Sequence, residues 1–146
     1  MSRSPTSRSL LASPAVANRL LVAEAIWELW RGWLAIKRRP FPQIVAADRR
    51  AFGGAGGADP RRMARSVEIA RRKVPWRAKC FESALALRAM LRRRGINCVL
   101  HYGIGRGQAA GLRAHVWLSV DDQVLIGGAE AGEFVEVADF PSEAVA

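Results

Sequence analysis

Two residue types suited to nucleophile–base chemistry at neutral pH, cysteine and histidine, are scarce in this chain. There are two cysteines, Cys80 and Cys98, and two histidines, His101 and His115. A thiol becomes a nucleophile when a base takes its proton, and imidazole is the usual base. Cys80 stands in "VPWRAKCFESALALRAMLRRRG", residues 74–95, at the front of a stretch that reads as a helix. Unpaired backbone N–H groups and the positive dipole end of that helix favour a thiolate there, and Arg77 and Lys79 act in the same sense. Cys98 falls in the strand pattern "INCVLHYGIG", on a face with Leu100 and Tyr102, and reads as a core residue. The plain alternative for Cys80 is a buried structural thiol as well.

His115, in "RAHVWLSV", sits on a strand that follows the Cys80 helix with one strand between them. A helix-borne cysteine followed by a strand-borne histidine is a workable nucleophile–base order. His101 lies on the opposite face of its strand from Leu100 and Tyr102 and is expected at the surface or in a supporting role. The cysteines have no CxxC spacing and no histidine pair beside them, so no metal site is expected. No cofactor is expected either.

The surrounding elements must hold these two residues in place. The chain has 146 residues, enough for one core. Its net charge of +10 is uneven: residues 1–80 carry 17 Lys+Arg against 5 Asp+Glu, and residues 81–146 carry 6 against 8. Such a half could face nucleic acid, a membrane surface or an acidic peptide, or be merely solvated. No nucleic-acid-binding motif accompanies the charge, so a nucleic-acid partner is not expected. Two cysteines in a chain of this size fit a reducing compartment. The opening residues resemble a signal peptide superficially, but Glu24 and Glu28 interrupt the apolar run. No segment reaches the roughly 18 apolar residues of a spanning helix, and a cytoplasmic chain without membrane contact is expected.

Residues 1–13 read as a disordered tip, and 14–58 as an N-terminal helix with a Gly-rich connector. Residues 59–146 read as the core. In the first helix Val16, Leu20, Ala23, Trp27, Trp30 and Leu34 recur at spacings of three and four, widened by Ile26 and Trp33. That stripe is expected to pack on the core, the alternative being a docking face. Pro40 and Pro42 stop the helix. Asp59 caps a second helix with Pro60 at its first position, apolar at Met63, Val67, Ala70 and Val74 and basic opposite. The third runs from near Ala78 to Arg94 and stops at Gly95. Period-two segments follow, with a two-residue turn at Asp121-Asp122. Helices followed by a small antiparallel sheet make an α+β fold.

Taken together, "VPWRAKCFESALALRAMLRRRGI", "LHYGIGRG" and "LRAHVWLSVDDQVLIGG" resemble the leader-peptidase half of the lasso-peptide biosynthesis B protein. The resemblance covers about residues 20–140. It implies a transglutaminase-like, papain-like core with the cysteine helix packed on the sheet. It implies that Cys80 is the nucleophile and His115 its base, and that the chain is a cysteine protease. The substrate would be the leader of a ribosomally made precursor peptide, whose removal frees the core peptide for ring closure. The implied partners are that leader, a separate leader-recognition protein and an asparagine-synthetase-like cyclase. Other readings are a transglutaminase-like amidase or hydrolase of different specificity, and a non-catalytic basic nucleic-acid-binding domain.

The chain departs from that family at one point. The family carries an aspartate on the strand after the histidine. Counting back from a two-residue turn, His115 would face Gly128, and the slot reads Ile126-Gly127-Gly128. Asp121 and Asp122 lie about 20 Å along an extended strand. Glu130 is the nearest carboxylate candidate, diagonal at about 7–8 Å. Alternatively, a backbone carbonyl holds the imidazole.

Overall fold

The computed structural model describes residues 13–47, 58–107, 109 and 111–142. The expected tip, residues 1–13, lies outside the described residues except for Ser13, and so does most of the Gly-rich connector. The elements run α1 (Pro14–Arg38), α2 (Phe41–Ala47), α3 (Pro60–Lys73), α4 (Cys80–Arg93), β1 (Val99–Arg106), β2 (Leu112–Val120), β3 (Gln123–Ile126), α5 (Gly128–Ala131) and β4 (Val135–Pro141). The strands form one antiparallel sheet in the order β3-β2-β1-β4. The expected helices-then-sheet α+β arrangement is what the chain adopts.

The helix α4 is the centre of the core. Ala84, Leu87, Met90 and Leu91 are fully buried, against Leu100, Val116 and Leu118 of the sheet and against α1 and α3. Three apolar surfaces meet on one 14-residue helix. This explains why its sequence is apolar on more than one side. The guanidinium of Arg88 is buried with it and donates to the Phe140 carbonyl at 3.1 Å, which ties α4 to β4. Asp59 caps α3 as expected, its Oδ1 accepting from the Arg61 N–H at 3.0 Å.

The first helix turns a different face inward from the one its periodicity suggests. Its buried residues are Ala25, Glu28, Leu29 and Gly32, whereas Trp27 and Trp30 are 54% and 41% exposed. Small residues decide this. A Cβ on Gly32 would stand 3.6 Å from the Glu82 carbonyl and 3.8 Å from Leu85 Cβ, so α1 approaches α4 closely along that line. Trp33 is drawn partly in and packs tilted against Trp76 with ring centroids 5.7 Å apart. Glu24 and Glu28 then clamp the far end of α4. Glu24 accepts from Arg93 and Arg94 at 2.7 Å, and Glu28 pairs with Arg93. Burial raises the Glu24 pKa, but Arg94 and Arg93 outweigh it and hold the carboxyl below its ordinary value. No helix among the described residues is long and apolar enough to cross a membrane.

Two local features depart from the expected pattern. A short helix, α2, begins at Phe41 directly after the expected stop. The β2–β3 hairpin has the expected two-residue turn, with Asp121 and Asp122 at φ 49° and 62°. Past it the ladder shifts register between Leu118 and Ser119, pairing Leu118 with Ile126 and Ser119 with Val124. The strand ends at Ile126, so Gly128 does not face His115 as simple counting predicts. A bulge consumes the extra residue, and Gly127 and α5 fold back over β2.

Candidate active site

The Cys80 end of α4 is fixed from behind. Trp76 packs against the core beside Trp33, and its indole N–H donates to the Glu82 carboxylate at 3.0 Å. Glu82 is buried and lies in the first turn of the helix. The Pro75-Trp76 pair therefore pins the chain so that Arg77, Ala78 and Lys79 deliver Cys80 to the first helical position. The first helical hydrogen bond is Ser83 N–H to the Lys79 carbonyl at 3.1 Å, and the Lys79 side chain caps nothing. The N–H groups of Cys80, Phe81 and Glu82 thus have no partner inside the helix. Backbone N–H groups left open at a helix front can donate to an oxyanion, and that of Cys80 belongs to the residue that carries the sulfur.

Cys80 and His115 line one open cleft of about 520 Å³. Its walls come from the end of α3, the Arg77–Ser83 segment, the start of β2, and Ile126 through Glu130. Cys80 is half-buried and His115 is buried. Ser83, one turn beyond Cys80, lines the same cleft with its hydroxyl unpartnered among the described residues. The cleft holds both groups, and no hydrogen bond joins them.

The imidazole of His115 is held by two rings and one peptide group. It stacks near Phe134 at 4.9 Å and Trp117 at 6.0 Å between centroids. Its Nε2 lies 2.8 Å from the Gly127 carbonyl oxygen. A carbonyl only accepts, so Nε2 must carry the hydrogen. In the neutral ring Nδ1 is then left with its lone pair, the atom able to take a thiol proton.

Gly127 can offer that carbonyl because it is glycine. Its φ is +77°, and a Cβ there would stand 2.6 Å from the Val116 carbonyl oxygen and 3.0 Å from Trp117 Cβ. The Gly127 peptide follows the register shift in the β2–β3 ladder and ends against the imidazole. Glu130 sits on α5 at the cleft rim, mostly exposed, with its carboxylate 3.7 Å from Arg113. The imidazole is held by a peptide carbonyl and, among the described residues, hydrogen-bonds no carboxylate.

The second histidine is also engaged. His101 stacks on the other side of Trp117 at 5.5 Å and 7° between planes. Its Nδ1 lies 2.6 Å from Glu136 and its Nε2 2.7 Å from the Ser119 hydroxyl. The sequence indicated neither partner. Glu136 meets His101 only because β4 pairs on the far side of β1. A backbone carbonyl was one expected holder of His115, but nothing in the sequence marked that of Gly127, which read as part of a strand.

Cys98 lies elsewhere. It is buried just ahead of β1, beside Ser142, whose hydroxyl accepts from the Cys98 N–H at 2.9 Å. Burial pushes its thiol up from the ordinary cysteine value, against the Ser142 hydroxyl and the Arg88 and Arg92 cations. It stays protonated at neutral pH and takes no part in the cleft. Among the described residues no cluster of His, Cys, Asp and Glu is arranged to hold a metal ion.

Residues 16–139 match the family described as the transglutaminase-like superfamily, and the chain belongs to it. No curated protein and no solved structure matches the chain.

Proposed function

We propose that the protein is a cysteine peptidase that removes the leader from a ribosomally made lasso precursor peptide. The observation that carries the peptidase reading is the shared cleft. Cys80 stands at a helix front and lines the same cleft as an imidazole whose Nε2 is committed to Gly127. The leader specificity is supported by the motif set: Pro75-Trp76 ahead of Cys80, the Arg-rich helix end before Gly95, and Ala114-His115-Val116-Trp117 on the strand.

The chemistry follows from the atoms available. His115 Nδ1 takes the proton of the Cys80 thiol, and the sulfur bonds to the carbonyl carbon at the leader–core junction. The carbonyl oxygen becomes an oxyanion and is bound by the free N–H groups at the front of α4. The C–N bond breaks, and Nδ1 returns the proton to the departing amine of the core peptide. Water then attacks the thioester, with Nδ1 taking its proton. The C–S bond breaks, Nδ1 returns its proton to the departing sulfur, and the leader leaves as a carboxylic acid that ionises in water. Throughout, Gly127 and the two stacked rings keep the imidazole from rotating while its charge changes. In this scheme Glu130 belongs to the cleft rim.

The freed amine is the group a partner cyclase resembling asparagine synthetase would join to a side chain. A separate recognition protein would present the leader. The test is incubation of the purified chain with a candidate precursor and its recognition protein, read by mass spectrometry. Cleavage at one junction that Cys80→Ala abolishes is the expected result. Trimming that persists in Cys80→Ala overturns the peptidase reading. Cys80-dependent hydrolysis of other amides, without leader removal, overturns the lasso assignment and favours a hydrolase of different specificity.

A further inference from the structure

The charges around the cleft do not balance. Arg71, Arg77, Lys79 and Arg113 line it, against Glu68 and Glu130. Each carboxylate already faces one arginine: Glu68 lies 3.3 Å from Arg71, and Glu130 3.7 Å from Arg113. Arg77 and Lys79 are exposed and have no ion-pair partner among the described residues. They stand three residues and one residue ahead of the sulfur. The unpaired N–H groups of α4 add partial positive charge at the same place. A peptide entering this cleft therefore meets two uncommitted cations on the segment that leads into Cys80.

We infer that the cleft selects peptides bearing an acidic side chain next to the bond that is cut, with Arg77 and Lys79 as the groups that read it. The inference rests on the peptidase reading and names its substrate class. Arg77 presents a planar fork that matches a carboxylate, and Lys79 adds a point charge. A neutral side chain gains nothing from either, and a basic one is repelled. Because both cations are solvent-facing, the preference is modest and screened by salt, on the order of tenfold in rate at low ionic strength.

Two measurements on the full chain test it. The first compares alkylation of Cys80 by iodoacetate, an anion, with alkylation by neutral iodoacetamide, each mapped by tryptic mass spectrometry. Reduced glutathione serves as the reference thiol. The expected anion-to-neutral rate ratio at Cys80 is about tenfold above that of glutathione. It falls towards the glutathione value in high salt, in Arg77→Gln and, further, in Arg77→Glu, with circular dichroism confirming that each variant folds. A ratio equal to that of glutathione and unchanged by Arg77→Glu overturns the inference.

The second measurement uses paired synthetic peptides carrying Asp or Asn beside the cleaved bond. Faster cleavage of the Asp member, lost in Arg77→Glu, supports the inference. Equal cleavage of both overturns it while leaving the peptidase reading intact. A raised alkylation ratio with no cleavage of any peptide overturns the peptidase reading alone.

Discussion

The two ends of α4 place a cysteine apiece and treat them in opposite ways. Cys80 opens the helix, half-buried in a cleft, with free backbone N–H groups behind it and an imidazole in the same cavity. Cys98 follows the other end, 2% exposed, hemmed by Ser142 and the sheet. One thiol is partly exposed and shares its cleft with an imidazole. The other is sealed, and burial holds its proton on. The residue type is the same, so the difference lies in access, neighbours and the helix end that each one meets.

Removing the sulfur from the reachable end should have the largest effect. Cys80→Ala is expected to reduce peptide cleavage to background, measured by mass spectrometry, while circular dichroism and thermal unfolding stay near wild type. His115→Ala comes next, with cleavage reduced by about 10²- to 10⁴-fold, the usual contribution of a positioned base. A substrate whose leaving group needs no proton should recover part of that loss.

Gly127→Ala probes the same site through the backbone. The new methyl meets the Val116 carbonyl at 2.6 Å in a left-handed conformation, so the peptide must move and release the Nε2 hydrogen. The expected loss in kcat/KM is about a hundredfold, as for a catalytic group displaced by about 1 Å. It should appear mainly in kcat, with an altered pH–rate profile. Glu130→Gln should change the rate much less, because the Glu130 carboxylate faces Arg113.

The sealed end should answer only in stability. Cys98→Ala is expected to leave cleavage intact and to cost on the order of 1 kcal/mol in chemical denaturation. Its pH signature has a definite sign. The Cys98 pKa is raised in the fold, so the unfolded thiol ionises first as the pH rises. The stabilisation is complete below the unfolded value, near the reference of 9.0, and is lost progressively above it. The wild type should therefore weaken above that pH more steeply than Cys98→Ala.

Much of this contrast was legible in the residues. The helix from Cys80, its stop at Gly95, the Asp59 cap and the Asp121-Asp122 turn all follow from local chemistry that tertiary packing does not override. The inward face of α1 was not legible. That helix is apolar nearly all round, so periodicity favours the large tryptophans, whereas packing selects the small line of Ala25 and Gly32, which lets α4 approach. The partner of His115 was hidden for another reason. A register shift in the ladder is set by how Gly127 and α5 fold over Trp117, and counting from a hairpin cannot detect it. The serine and glutamate at His101 come from two different neighbouring strands, and only the sheet order brings them together.

The central claim is that the Cys80 sulfur is activated by His115. It is tested most directly by mapped alkylation with iodoacetamide at mildly acidic pH, in the wild type and in His115→Ala. Rapid labelling of Cys80, negligible labelling of Cys98, and a drop of about tenfold or more at Cys80 when the imidazole is removed are the expected results. Equal labelling of Cys80 in both proteins, or of both cysteines in the wild type, would contradict it.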